Sequence, residues 1–134
     1  MFSVNLMNPS KETDNKLRWT ANVEGTPFHF YIPKSRVPKP WPNQIHVIIS
    51  LPEQVTQSPT HLKNYLANFI IAFVKFDQKH SCTVRYSPEG DSDQWEIGQP
   101  YIPYEILEKV SPGTIPDRLR IEVHWDDKAG IWQE

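Results

Sequence analysis

The chain has 134 residues, 38% of them hydrophobic and 22% charged, with a formal net charge of -2 at pH 7. Six Phe, five Trp and five Tyr supply large rings for burial where the apolar fraction is modest, so the composition excludes a disordered tail, a collagen-like chain and a disulfide scaffold, and fits one folded domain. The lone cysteine, Cys82, excludes an internal disulfide and a cysteine-based zinc site.

Residues 1–15 are polar and lack periodicity, which predicts a loose N-terminus ahead of a single domain spanning 16–134. They show no basic run followed by an apolar one, as a secretory leader would. The most apolar stretch, 62–76, is broken by Lys63, Asn64, Asn68 and Lys75 and falls short of the ~20 apolar residues that cross a bilayer. A soluble, cytoplasmic protein with no membrane partner is expected.

Residues 17–23 alternate with period two and read as a half-buried strand. Glu24 to Thr26 is a turn, and residues 28–32 return as the hairpin partner, with Pro27 tolerated at the strand's start. Four prolines between 33 and 42 forbid helix and central strand and predict an extended connector. Residues 44–51 carry three consecutive branched residues, Val47, Ile48 and Ile49, as a central strand covered on both faces does.

Residues 58–80 read as one long helix. Ser58 suits the N-cap and Pro59 the first helical position. Leu62, Leu66, Phe69, Phe73 and Phe76 form a stripe at helical spacing, and Tyr65, Ile70, Ala72 and Val74 widen it past half the circumference. Ile71 interrupts the narrow polar face, which makes it the candidate contact of a homodimer. Residues 82–86 then read as a strand, 87–93 as a turn-rich loop, and 94–97 as a returning strand. A short helix is expected near 104–110, stopped by Ser111, Pro112 and Gly113. Residues 119–125 alternate, with Leu119, Ile121, Val123 and Trp125 inward and Arg120, Glu122 and His124 outward. Residues 126–130 turn, and a last strand starts at Ile131. The order predicts an α+β fold: a mostly antiparallel sheet of hairpins packed on one long central helix, 58–80, plus the short helix near 104–110.

No phosphate-binding glycine loop, nucleophile elbow or HExxH motif is present. The five histidines are scattered, and His29, His46 and His124 would cluster only if three strands shared one face. The acidic loop 89–93 lacks the ligand spacing of a calcium loop. No catalytic residue, metal ligand or cofactor is therefore assigned.

Charge is unevenly distributed. Residues 1–42 carry net +3 and residues 82–134 net -6. In the basic part, cations interleave with rings: Arg18, Trp19, Phe30, Lys34, Arg36, Lys39 and Trp41. Cations that follow phosphates and rings that stack on unpaired bases make these residues the candidate binding surface for single-stranded nucleic acid.

The segment 98–106, Gly-Gln-Pro-Tyr-Ile-Pro-Tyr-Glu-Ile, and its sequel 115–123, Ile-Pro-Asp-Arg-Leu-Arg-Ile-Glu-Val, resemble the swapped-hairpin half-motif of AbrB/MazE-type DNA-binding domains over about a fifth of the chain. The resemblance implies an intertwined dimer and duplex binding. The chain departs from the pattern at Leu107, where that family tends to place Arg, by one extra residue before Asp117, and at Pro100.

These readings rank a small binding or accessory protein acting through protein–protein interaction first, with the proline-stiffened loop and the wide apolar arc as its grounds. Nucleic-acid binding through the 18–41 hairpin, or through the AbrB-like segment, comes second. An enzyme whose site is assembled from distant residues comes third.

Overall fold

The computed structural model describes residues 1–12, 15–37, 41–54 and 68–125. Eight strands form one sheet: β1 (Phe2–Glu12), β2 (Lys16–Val23), β3 (Thr26–Pro33), β4 (Gln44–Ser50), β5 (Asn68–Lys79), β6 (Thr83–Pro88), β7 (Tyr101–Pro103) and β8 (Arg118–Trp125). Their order is β3-β2-β1-β4-β8-β5-β6-β7, and every pairing is antiparallel. The sheet curls into a nearly closed barrel. One short helix, α1 (Tyr104–Val110), lies where the sequence places it and buries Ile106, Leu107 and Val110 in the core. Among the described residues no helix is long and apolar enough to cross a membrane.

The long central helix is the main correction. Residues 68–79 form strand β5, and residues 58–67 lie outside the described residues. Segment 69–74, Phe-Ile-Ile-Ala-Phe-Val, is a continuous apolar run in which every residue but Ala72 is aromatic or β-branched, and helical and strand projections both render it as apolar. In the strand, Ile70, Ala72 and Val74 face the core while Phe69, Ile71 and Phe73 face outward. The arc that looked too wide for a surface helix is a strand apolar on both faces. The fold is therefore mostly β, without a helix on which hairpins pack.

The N-terminus also differs from its expected looseness. β1 pairs with β2 on one side and β4 on the other, so Phe2–Glu12 lies inside the sheet. Polar residues at alternate positions, Ser3 and Asn5, lie on the outer face while Leu6 enters the core. Residues 94–97 do not return as a strand: Ser92–Gln94 is a short 3-10 turn, and β7 takes the place beside β6. The expected turn and strand from 126 to 132 lie outside the described residues.

The barrel closes at a seam set by the β2–β3 hairpin. Glu24 and Gly25 both have positive φ, 51° and 87°, as a two-residue type I′ turn requires. That turn makes Val23 and Thr26 a hydrogen-bonded pair, so the backbone groups of Pro27, His29, Tyr31 and Pro33 point to the sheet's free side. Proline at two of these four positions leaves no N–H to satisfy there. Tyr31 carbonyl accepts the N–H of Gly98 at 2.9 Å, which joins the two ends of the sheet. A Cβ at Gly98 would stand 3.2 Å from Tyr31 Cβ, so the close approach depends on glycine. α1 is tied to the turn end of this hairpin by Glu105, which accepts from Thr26 Oγ1 at 2.8 Å, and by Lys109 beside Glu24 at 2.7 Å.

Candidate functional site

The rings of the basic hairpin point the wrong way for stacking on bases. Trp19 is 0% exposed and Phe30 is 1% exposed, both inside the barrel. The alternation explains this: positions 19 and 30 are register partners on the same face as Leu17 and Ile32, and that apolar face is the inward one. Trp19 also gives its indole N–H to Pro42 carbonyl at 3.0 Å. Trp41 is half-buried against the core with Lys34 Nζ 5.5 Å above its ring. Arg18 lies on the outer side of β2, and the exposed Arg36 donates to Trp95 carbonyl at 3.3 Å. Lys39 lies outside the described residues. The structure thus gathers cations at this end but takes away two of the rings.

The AbrB-like segment is not a hairpin unit. β7 pairs with β6, whereas β8 lies between β4 and β5 in the same chain. The two strands of the resemblance are separated by β5 and β6.

Exposed rings occur elsewhere. Among the described residues Phe69, Phe73, Phe76 and Tyr101 are the aromatics exposed by more than a third, at 38–39% each. Phe76 packs edge-on against Tyr86, and Tyr101 tilts against His80. Phe69 and Phe73 share the outer face of β5 with the half-buried Ile71 between them, while Arg118 stands 5.7 Å over the Phe73 ring. Lys75 continues the row.

Beside this apolar row lies a buried polar network at positions where alternation alone predicts solvent-facing side chains. Arg120, Glu122 and His124 point outward as alternation demands, yet Glu122 is 0% and His124 1% exposed. Glu122 accepts from Arg120 Nη1 at 2.8 Å and from His124 Nε2 at 2.6 Å. On β4 His46 is the register partner of His124, and on β1 Asn5 is the register partner of His46. His46 Nδ1 lies 2.7 Å from Asn5 Oδ1. Phe69 completes the row on β5, stacked on His124 with ring centroids 5.7 Å apart and planes 23° from parallel.

Two buried polar atoms here have no hydrogen-bond partner: His124 Nδ1 and Ser50 Oγ. They do not form a nucleophile and its base. Ser50 is four residues along β4 from His46, roughly 13 Å at about 3.3 Å per residue. His46 itself is held below the ordinary histidine pKa, first by burial and then by the neighbouring His124, against the pull of Glu122. His29, also on the outer face, is three strands from His46, roughly 14 Å at about 4.8 Å per strand. The fold therefore brings two of the three strand histidines together. Among the described residues no three His, Cys, Asp or Glu side chains converge to hold a metal ion.

A cleft of about 350 Å³ opens between the end of β4 and the start of β8, lined by Leu51, Glu53, Ser111, Asp117 and Arg118 among others. Its one cation, Arg118, already holds Glu89 through two hydrogen bonds of 2.7 and 3.2 Å. The cleft offers an anion little that is not already committed.

The pattern Arg-x-Glu-x-His on one strand was a usable signal for the network. Same-face residues of opposite charge two apart are neighbours in a strand, so they can satisfy one another when covered. Comparison with protein-family models, with curated proteins and with solved structures gives no match.

Proposed function

We propose that the chain is a binding module that engages a protein partner through the outer face of β5, with Phe69, Ile71 and Phe73 as its contact row. The observation that carries this reading is the exposure of Phe69 and Phe73 on a strand whose core duty is already met by Ile70, Ala72 and Val74. Neighbouring exposed rings on one face are the composition of a contact surface. The row runs out at the exposed Lys75, so the partner surface that suits it is apolar at its centre and acidic beside Lys75. The nucleic-acid reading of residues 18–41 lacks support at Trp19 and Phe30, which lie in the interior.

The test is binding of one co-purified partner to purified Phe73→Asp and Tyr101→Asp variants. Phe73→Asp faces Arg120 and Arg118, so the fold tolerates the new charge. Ile71→Glu would instead set a second carboxylate opposite Glu122. Loss of the partner with Phe73→Asp and retention with Tyr101→Asp is the expected result. Equal binding by both variants overturns the reading.

A further inference from the structure

Phe73 and the cleft beside it form a knob and a hollow on one stretch of surface. Arg118 joins them: its guanidinium stands 5.7 Å over the Phe73 ring, and the same side chain lines the cleft. Glu89 braces that guanidinium with hydrogen bonds of 2.7 and 3.2 Å and gives its backbone N–H to the Phe73 carbonyl at 3.1 Å. The ring is thus presented from a fixed position while 39% exposed. The cleft, about 350 Å³, is at the small end of ligand-sized pockets, and Leu51, Pro52 and Pro116 give it apolar walls. The charges around knob and hollow are of both signs. Lys75 follows Phe73 on the outer face of β5, and Asp117 lies at the cleft, its carbonyl accepting the N–H of Phe76 at 2.7 Å. Both side chains are exposed, and neither enters an ion pair among the described residues. Lys75 lies in the field of Glu89, whose two oxygens are already bonded to Arg118.

We propose that the occupant of the β5 face is a second copy of this chain, packed about a two-fold axis beside Arg118 so that each Phe73 ring enters the other copy's cleft and each Lys75 meets the other copy's Asp117. A two-fold contact uses the same patch twice, so the patch must carry its own complement. This one does: an exposed ring lies beside an apolar hollow, and an uncommitted ammonium beside an uncommitted carboxylate. A foreign partner would call for only one member of each pair. Arg118 stays with Glu89 and walls the hollow, so the hollow suits a ring better than an anion. The second copy rests on the interaction reading, whose partner it names.

Sedimentation velocity of the purified full chain, from about 1 μM to about 1 mM, tests the second copy over the range of weak and moderate affinities. The expected result is a species of twice 15.7 kDa that grows with concentration. Phe73→Asp should leave monomer alone. Lys75→Glu sets like charges against each other at both ends of the contact and should weaken the dimer by about tenfold or more. Adding Asp117→Lys to Lys75→Glu restores opposite signs and should regain much of that loss. Both charge reversals alter exposed side chains, so they decide the matter if Phe73→Asp loses its fold. A mass of 15.7 kDa at every concentration overturns the proposal, and so does a dimer that Phe73→Asp and the charge reversals leave unchanged. A monomer in which a photoreactive residue at position 73 crosslinks to a different protein overturns the second copy and leaves the interaction reading standing. A monomer with no crosslink from that position removes both.

Discussion

His124 donates its Nε2–H to Glu122 at 2.6 Å, although both residues point away from the barrel interior and both are buried. A carboxylate removed from water is tolerable when donors meet it, and Arg120 supplies a charged one. Removing the carboxylate takes a buried acceptor from His124 and one charge partner from Arg120. Glu122→Ala should therefore lower unfolding stability by about 3–5 kcal/mol, measured by denaturant unfolding. Replacing Arg120, Glu122 and His124 together by apolar residues of similar volume should recover much of that loss, since a buried ion network rarely outperforms good apolar packing. Equal losses in the single and triple variants would contradict this account of the network.

Acid should destabilise the protein through His46. Its pKa is lowered in the folded state, chiefly by burial, so between the folded and unfolded values the unfolded chain binds more protons. Stability therefore falls as pH drops below 6.5 and levels off below the folded value, with a slope of at most about 1.4 kcal/mol per pH unit for one proton. His46→Asn should flatten that part of the curve. An unchanged slope in the variant would assign the acid sensitivity to another group.

The two ends of the basic hairpin should behave differently. Trp19→Ala empties an interior site and should cost about 3–5 kcal/mol. Changing Lys34 and Arg36 together to Ala should move stability by no more than about 1 kcal/mol. Thermal unfolding of both variants separates a core ring from surface cations. A small effect at Trp19 would return that ring to the surface.

Gly98 holds the barrel seam. Its N–H donates to Tyr31 carbonyl at 2.9 Å, and an added Cβ would meet the Tyr31 Cβ at 3.2 Å. Gly98→Val should push β3 and the segment before β7 apart. The expected readout is faster amide exchange at Gly98's position and a stability loss of about 1–3 kcal/mol. Protection equal to the parent chain would show that the seam closes without this contact.

The β2–β3 hairpin, the inward set of β8 and the short helix were legible because each has a strict period or a punctuating turn. β5 was not, because six consecutive apolar residues from Phe69 to Val74 satisfy helical and strand patterns equally. Pairing decided it: Ile71 opposite Glu122 and Val74 opposite Leu119 complete ladders that one chain segment cannot announce. β1 was missed for a related reason. Asn5 looks like loop chemistry until its partner His46 is known, and that partner lies 41 residues away. The Arg120–Glu122–His124 network is written in the alternation of β8, but an outward direction alone does not tell a covered side chain from an exposed one. Trp19 and Phe30 share a face with Leu17 and Ile32, and that apolar alternation, rather than the neighbouring cations, decides that they lie inward.

The central claim is that the outer face of β5 is a contact surface, and site-specific photo-crosslinking tests it most directly. A photoreactive phenylalanine analogue is placed at Phe73 in one variant and at Tyr101 in another, positions with nearly equal exposure, 39% and 38%. The account predicts one discrete adduct from position 73 and none from 101, and the adduct mass tells a second copy of this 15.7 kDa chain from a different protein. No adduct from position 73, or the same adducts from both positions, would contradict it.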